Sequence, residues 1–84
     1  MKKPNVILDV ELSGKKLHTA IKESGYSVRE LQDLLYLRCP NPIYRWMHGN
    51  TLPSVDNLYR LSLILNMPME DLLVFKSFDN ENNL

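Results

Sequence analysis

The sequence has few of the residues on which several classes of protein depend. It contains one cysteine, Cys39, among 84 residues, which excludes an internal disulfide framework and a zinc site built from several cysteines. Only two Phe and one Trp are present, although 44% of the residues are hydrophobic. We therefore expect a single small domain with an aliphatic, leucine-rich core.

Net charge and long apolar runs are also missing. Lys plus Arg and Asp plus Glu both number 10, so the formal net charge is zero, which argues against holding polyanions by bulk charge. No apolar run approaches the roughly 18 residues of a membrane-spanning helix. The Met-Lys-Lys start is not followed by the hydrophobic region of a secretory signal. These features predict a cytoplasmic protein without a membrane partner.

Residues that carry catalysis or bind metals do not form a recognisable pattern. No Ser/His/Asp, Cys/His or paired-carboxylate arrangement can be placed on one helical face, which argues against an enzyme. His18 and His48 are too isolated to suggest a metal site. Glu70 and Asp71 are adjacent, but they suit the start of a helix through its dipole. We therefore expect no cofactor and no metal.

The first half of the chain predicts an arm and two helices. Residues 1–12 are interpreted as a partly ordered N-terminal arm, with a short strand as the alternative. Ser13 is the expected N-cap of the first helix, and Gly25 is its expected end. Ser27 is the expected N-cap of the second helix, and Glu30 completes a capping box with it.

The second half predicts three more helices and a tail, with no convincing strand pair. The third helix is expected to run to about His48 and to stop at Gly49. Ser54 is the expected cap of the fourth helix, and Pro68 opens a short last helix. Residues 77–84 form a polar C-terminal tail. In total the pattern predicts five short helices with tight connections.

The segment CPNPIYRW, residues 39–46, permits two starts for the third helix. Either Cys39 is the N-cap and Pro40 the first helical residue, or Asn41 is the N-cap and Pro42 the first. A residue before proline resists the α region, and Asn is a better cap than Cys, so the second start is favoured. Cys39 is then expected to be a small buried or capping residue.

The chain from Leu34 to Val55 contains no Asp or Glu, whereas Arg38, Arg45 and His48 all lie within it. Because salt screens charges beyond about 8–10 Å, such a local face lets a neutral protein approach phosphates. Ordinary clustering of surface charge is the alternative explanation.

Four segments, SGYSVRELQDLL, IYRWMHG, LPSVDNLYRLSLILNM and EDLLV, occur in an order and spacing that resemble a known family. The span from Ser13 to Val74 looks like the lambda-repressor-like helix-turn-helix domain of the Cro and xenobiotic-response-element (XRE) family of bacterial or phage transcriptional regulators. The resemblance implies an all-α, compact five-helix bundle over residues 13–76. It also implies binding to duplex DNA as a homodimer to regulate transcription.

The resemblance implies that the third helix, about residues 41–48, lies in the major groove. Its implied DNA-contacting residues, together with those of the flanking segments, are Ser27, Arg29, Arg38, Asn41, Tyr44, Arg45, His48 and Thr51. An asparagine amide pairs with adenine, and an arginine reaches guanine or a phosphate. The alternatives are that Asn41 only caps the helix, that Arg45 is a solvated surface residue and that Tyr44 only packs. If Asn41 is the cap, Arg45 is the preferred base-contacting residue.

The sequence departs from the family pattern at three places. Val28 stands where Gln is common, Tyr36 stands where the turn normally has Gly, and Asn50 and Thr51 replace a basic residue after Gly49. A left-handed Tyr36 costs on the order of 1 kcal/mol. Fewer cations predict weaker binding with a smaller salt dependence. A protein–protein interaction module of the same fold, antitoxin-like or a scaffold, is therefore the alternative function.

Overall fold

A computed structural model describes residues 5–77. In chain order its elements are β1 (Val6–Leu8), α1 (Val10–Ser24), α2 (Val28–Leu34), α3 (Asn41–Met47), α4 (Val55–Leu65), a 3₁₀ helix (Met69–Leu72) and β2 (Phe75–Ser77). The predicted five-helix bundle is therefore wrong. The described part of the chain has four α-helices, and the segment expected to form the fifth is a single 3₁₀ turn, followed by a strand.

The two strands form an antiparallel sheet that joins the two ends of the described chain. The paired residues are Val6 with Ser77, Ile7 with Lys76, and Leu8 with Phe75. The expectation of no strand pair is wrong. The sequence did not reveal the pair because the two strands lie at opposite ends of the chain, and local patterns do not connect them. The predicted domain boundaries stay a prediction, and apart from Ser77 the tail at 77–84 lies outside the described residues.

The first helix begins earlier than predicted. Its N-cap is Asp9, whose carboxylate accepts a hydrogen bond from the Leu12 backbone N–H at 2.9 Å. Ser13 is therefore not the cap but a buried residue inside α1. Its hydroxyl accepts a 2.8 Å hydrogen bond from the Val74 N–H and donates to the Val74 carbonyl at 3.3 Å. Ser13 thus connects α1 to the chain just before β2.

The predicted caps of α2 and α4 and the predicted end of α1 are confirmed. Glu30 N–H donates to the Ser27 hydroxyl at 3.0 Å, and Ser27 N–H donates to the Glu30 carboxylate at 2.8 Å, which completes the capping box of α2. Ser54 caps α4 by accepting from the Asn57 N–H. Gly25 ends α1 with a left-handed φ of 84°. Local side-chain chemistry is enough to determine these ends.

All four helices and the 3₁₀ helix contribute to one apolar core. Its buried members are Leu17, Ile21, Leu31, Leu35, Ile43, Trp46, Leu58, Leu61 and Leu72. In α3, Ile43 and Trp46 are buried in this core, and Met47 packs against it while remaining partly exposed. Cys39 is exposed and does not cap α3, so the expectation that it is buried or capping is wrong.

Candidate nucleic-acid interface

The start of α3 differs from both predicted alternatives. Pro40 is the N-cap, with φ −81° and ψ −8°, and Asn41 is the first helical residue. The Ile43 and Tyr44 N–H groups donate to the Pro40 carbonyl at 3.0 and 3.3 Å. Proline already holds φ near the helical value, and Pro42 lies in the first turn, where its missing N–H has no intrahelical partner to lose.

This start changes the role available to Asn41. Among residues 5–77, no side chain makes a capping hydrogen bond at the beginning of α3. The Asn41 side chain is exposed and is not the cap that the sequence favoured. The reason for preferring Arg45 over Asn41 as a base-contacting residue is therefore gone, and both side chains are available.

One face of α3 is polar and exposed, and the opposite face is buried. The exposed residues are three or four positions apart, so they lie above one another on the helix surface. We call them the α3 polar face: Asn41, Tyr44, Arg45 and His48. On the other side Ile43 and Trp46 are buried in the core. The structure thus brings together four of the predicted site residues on one short surface.

The aromatic members of this face lie next to each other. The ring centres of Tyr44 and His48 are 6.3 Å apart, with an angle of 31° between the planes. His48 is the C-cap of α3, and its N–H donates to the Tyr44 carbonyl at 2.9 Å. The two rings extend the polar face to the last turn of the helix.

The arginines of the predicted site have no side-chain partners within the described part of the chain. Within residues 5–77, Arg29, Arg38 and Arg45 make no ion pair and no side-chain hydrogen bond. The ion pair found there joins Lys76 to Asp9 at 3.8 Å, away from α3 in the sheet region. The guanidinium groups are therefore available to acceptors outside the chain, such as phosphate oxygens or base edges.

A groove of about 360 Å³ lies between α2 and α3. Its lining residues are Val28, Arg29, Gln32, Asp33, Pro40 and Tyr44. Two predicted site residues, Arg29 and Tyr44, thus share one groove. Asp33 was not among the predicted site residues, because it lies just before the acid-free stretch in the sequence. Asp33 follows Arg29 by four residues, so both side chains lie on the same face of α2, and this spacing could have indicated that Asp33 shares the groove.

The remaining predicted residues lie around this face in different environments. Ser27 is exposed but uses its side chain and N–H in the capping box, and Glu30 places a carboxylate at the same helix end. Arg38 is exposed in the turn before α3. Thr51 is half-buried and lines a narrow cleft beside Gly14 and other residues. That Ser27, Arg38 and Thr51 contact DNA stays a prediction.

The turn between α2 and α3 contains the left-handed residue that the family pattern suggested. Tyr36 has φ +58° and is 85% exposed. Leu37 N–H donates to the Gln32 carbonyl at 2.9 Å, and Tyr36 N–H donates to the Asp33 carbonyl at 3.1 Å. This is the Schellman arrangement, in which glycine is normally preferred at the left-handed position.

The end of α3 uses the same arrangement with a glycine. Gly49 has φ +76°, and Asn50 N–H donates to the Arg45 carbonyl at 2.9 Å. The predicted stop at Gly49 is confirmed. Because the glycine closes the helix here, the polar face ends with His48.

The described part of the chain offers neither a metal cluster nor a membrane-spanning helix. Residues 5–77 contain no group of three or more His, Cys, Asp or Glu side chains placed to hold a metal ion. Over the same residues, every helix is too short or too polar to cross a bilayer.

No family model and no curated protein sequence matches this chain. The fold is similar to the crystal structure of the restriction-modification controller protein C.AhdI from Aeromonas hydrophila, with a TM-score of 0.67. The match has 22% sequence identity and covers 76% of this chain and 96% of C.AhdI. The resemblance to the lambda-repressor-like, Cro/XRE-type helix-turn-helix is confirmed as a likeness of fold.

Proposed function

We propose that this protein is a sequence-specific regulator of transcription that binds duplex DNA as a homodimer, with α3 in the major groove. The observation that carries the proposal is the α3 polar face, which exposes an amide, a guanidinium and two polar aromatic groups opposite a buried apolar face. In a helix-turn-helix, the helix that contacts base edges exposes its polar residues on such a face.

The chemistry of this face suits direct contact with bases. An asparagine amide forms two hydrogen bonds with adenine N6 and N7, and arginine forms two with guanine O6 and N7. Asn41 and Arg45 are four residues apart, so their side chains lie about one helical turn from each other. This spacing supports contact with neighbouring base pairs in one half-site.

Contacts with the DNA backbone are assigned to the residues beside α3. Arg29 and Arg38 have exposed guanidinium groups without partners in the described chain. Ser27 and Thr51 add hydroxyl groups, and on the α3 polar face itself Tyr44 and His48 supply further donors. Because the cations are few, binding should fall with salt less steeply than for a strongly basic domain.

The likeness to C.AhdI supports a regulatory role rather than an enzymatic one. That protein is a restriction-modification controller, and its fold covers most of this chain. We place the activity in the cytoplasm of a bacterial or phage-infected cell, as the resemblance to bacterial and phage regulators implies.

Selection from a pool of randomised duplexes at low salt tests the proposal. We expect wild-type protein to enrich a site made of two related half-sites, because each copy presents one α3. The matched control is a double variant, Asn41→Ala with Arg45→Ala, which should keep the fold but lose the enriched site. If wild-type protein enriches no site, the assignment as a sequence-specific regulator is wrong.

A second candidate is an interaction module that binds another protein. It is favoured by the zero net charge and by Asp33 in the groove beside α3, since both weaken attraction to DNA. Capture of one stoichiometric protein partner, combined with a failed duplex selection, would support this candidate instead.

A further inference from the structure

We propose that two copies of this chain pair through the exposed face of α4, with the two helices antiparallel. This inference rests on the homodimer in the proposed function but not on the DNA contact. The face carries an apolar stripe at intervals of four residues: Val55, 73% exposed, Tyr59, 55% exposed, and Leu63, 64% exposed. We call these residues the α4 stripe.

The stripe lies on the side of α4 that the core does not use. Leu58 and Leu61 bury the inner side of the helix, at 8% and 0% exposed. Single exposed apolar residues are common, but three aligned over the whole length of one helix form a surface that water solvates poorly. A partner that covers the stripe removes it from water.

Charges beside the stripe identify the partner as a second copy. Asp56 and Arg60 lie one turn apart on the same flank of α4. Among the described residues neither makes an ion pair, and Arg60 donates only a 3.3 Å hydrogen bond to Asn57. The flank therefore presents one uncompensated charge of each sign.

The order of these charges fixes the orientation. Around a two-fold axis, antiparallel helices place the same flank of both copies in contact, with residue numbers running in opposite directions. Asp56 then lies level with Arg60 of the second copy, and Arg60 with its Asp56. In a parallel pair the two-fold axis would place the Asp56 and Arg60 flanks of the two copies on opposite sides of the contact, so the charges would not meet. Only the antiparallel pair is complementary to itself.

The apolar residues agree with the same register. When Tyr59 lies at the two-fold axis, Val55 is level with Leu63 of the second copy. The Asp56–Arg60 pairs are centred on position 58, so the two centres differ by one residue, about 1.5 Å along the helix. A groove of about 360 Å³, lined by Val55, Asp56, Tyr59, Arg60 and Met69, lies beside the stripe. It can receive Leu63 of the second copy.

Charge exchange tests this contact in the full chain without DNA, with the dimer dissociation constant measured by sedimentation equilibrium at low salt. We expect Asp56→Lys and Arg60→Glu each to raise this constant roughly tenfold, because each turns two attractive pairs into repulsive ones. The double variant, with both charges exchanged, should return to within about threefold of wild type. Failure of the double variant to recover, or unchanged single variants, would overturn the antiparallel arrangement.

Two further samples make the result specific. An equimolar mixture of the two single variants should form mixed dimers in preference to dimers of either alone. Replacing Tyr59 and Leu63 together with Ser should weaken pairing at least as much as a charge change, whereas Leu12→Ser, at a comparably exposed apolar residue of α1, should not. Circular dichroism melting verifies that each variant is folded, since the changed side chains are exposed.

The outcomes separate this inference from the proposed function. Wild-type protein that remains a monomer at every concentration overturns the α4 contact, even if it enriches a DNA site. A dimer that the α4 changes dissociate, in a protein that enriches no duplex, supports the α4 contact and refutes the DNA assignment.

Discussion

Gly14 of α1 lies so close to Gly49, just after α3, that a Cβ atom on Gly14 would be 2.7 Å from the Gly49 Cα atom. The same Cβ atom would be 2.6 Å from the Trp46 carbonyl oxygen. Both neighbours are backbone atoms, so no side chain can rotate away to make room. Helix α1 and the end of α3 therefore touch backbone to backbone, and this contact sets the position of the α3 polar face.

Gly14→Ala should displace the end of α3 and lower stability. Alanine favours a helix over glycine by about 1 kcal/mol, but inserting an atom into a closed contact costs about 1–3 kcal/mol. We expect a lower urea midpoint and weaker binding to the selected duplex. Lys15→Ala, at the next and exposed position of α1, is the control and should change neither. A Gly14→Ala variant with unaltered DNA affinity would show that the contact does not position α3.

Tyr36→Gly should stabilise the protein. The left-handed backbone at Tyr36 costs about 1–2 kcal/mol for a residue with a Cβ, whereas glycine loses roughly 0.5–1 kcal/mol through its freer unfolded chain. The net gain is on the order of 0.5 kcal/mol, since the exposed ring gives up little packing. Urea unfolding measures it.

Gly25→Ala tests the same left-handed strain in the opposite direction, because it adds a Cβ atom instead of removing one. Gly25 has φ +84°, and a Cβ atom there would meet nothing within 4 Å. Its loss of stability therefore reports backbone strain of about 1–2 kcal/mol, less the roughly 0.5–1 kcal/mol that alanine gains through its less free unfolded chain, with no contribution from steric overlap. If both substitutions moved the urea midpoint in the same direction, strain at the left-handed positions would not be the cause.

The parts of the fold that the sequence predicted depend on neighbours along the chain. Ser27 with Glu30, and Ser54 with Asn57, are local caps, and Ile43 and Trp46 follow helical spacing. Such patterns are complete within about one helical turn, so they can be recognised without the tertiary structure.

The parts that the sequence did not predict depend on distant residues or on fine backbone geometry. The partners of β1 lie in residues 75–77, and the partner of Ser13 is Val74. Asp33 joins the candidate site only when α2 packs beside α3. At the start of α3, Pro40 takes the capping position itself, which capping preferences for Asn and Cys do not anticipate.

Ser13→Ala should destabilise the connection between α1 and β2. The Ser13 hydroxyl is the acceptor for the Val74 N–H, so its removal leaves a partly buried donor without that partner and costs about 1–3 kcal/mol. Thermal unfolding measures the loss. Ser62→Ala removes a hydroxyl that donates only to the Tyr59 carbonyl in its own helix, and it should cost less. Equal losses of stability in the two variants would mean that the hydrogen bond to Val74 stabilises the fold no more than the bond within α4.

Asn41→Ala should change DNA preference without changing stability. Asn41 does not cap α3, so its removal should not incur the roughly 1 kcal/mol that a lost cap costs. If its amide contacts adenine, the variant should lose selectivity at one base position of each half-site. Repeated duplex selection and urea unfolding measure the two quantities. A destabilised variant with unchanged base preference would assign Asn41 to helix capping after all.

Arg45→Ala distinguishes a base contact from a phosphate contact at the centre of the α3 polar face. Loss of a guanine contact should cost about 1–3 kcal/mol in each half-site of the selected duplex and relax preference at one position of each half-site, with little change in salt dependence. Loss of a phosphate contact should weaken all duplexes alike and reduce the slope of log K against log salt by about one for each copy of the chain, about two for the dimer. Lys22→Ala, at an exposed basic residue in the last turn of α1, is the control and should leave both quantities unchanged. If Arg45→Ala alters neither, the guanidinium points into solvent in the complex, and Asn41 with Tyr44 must supply the specificity of this face.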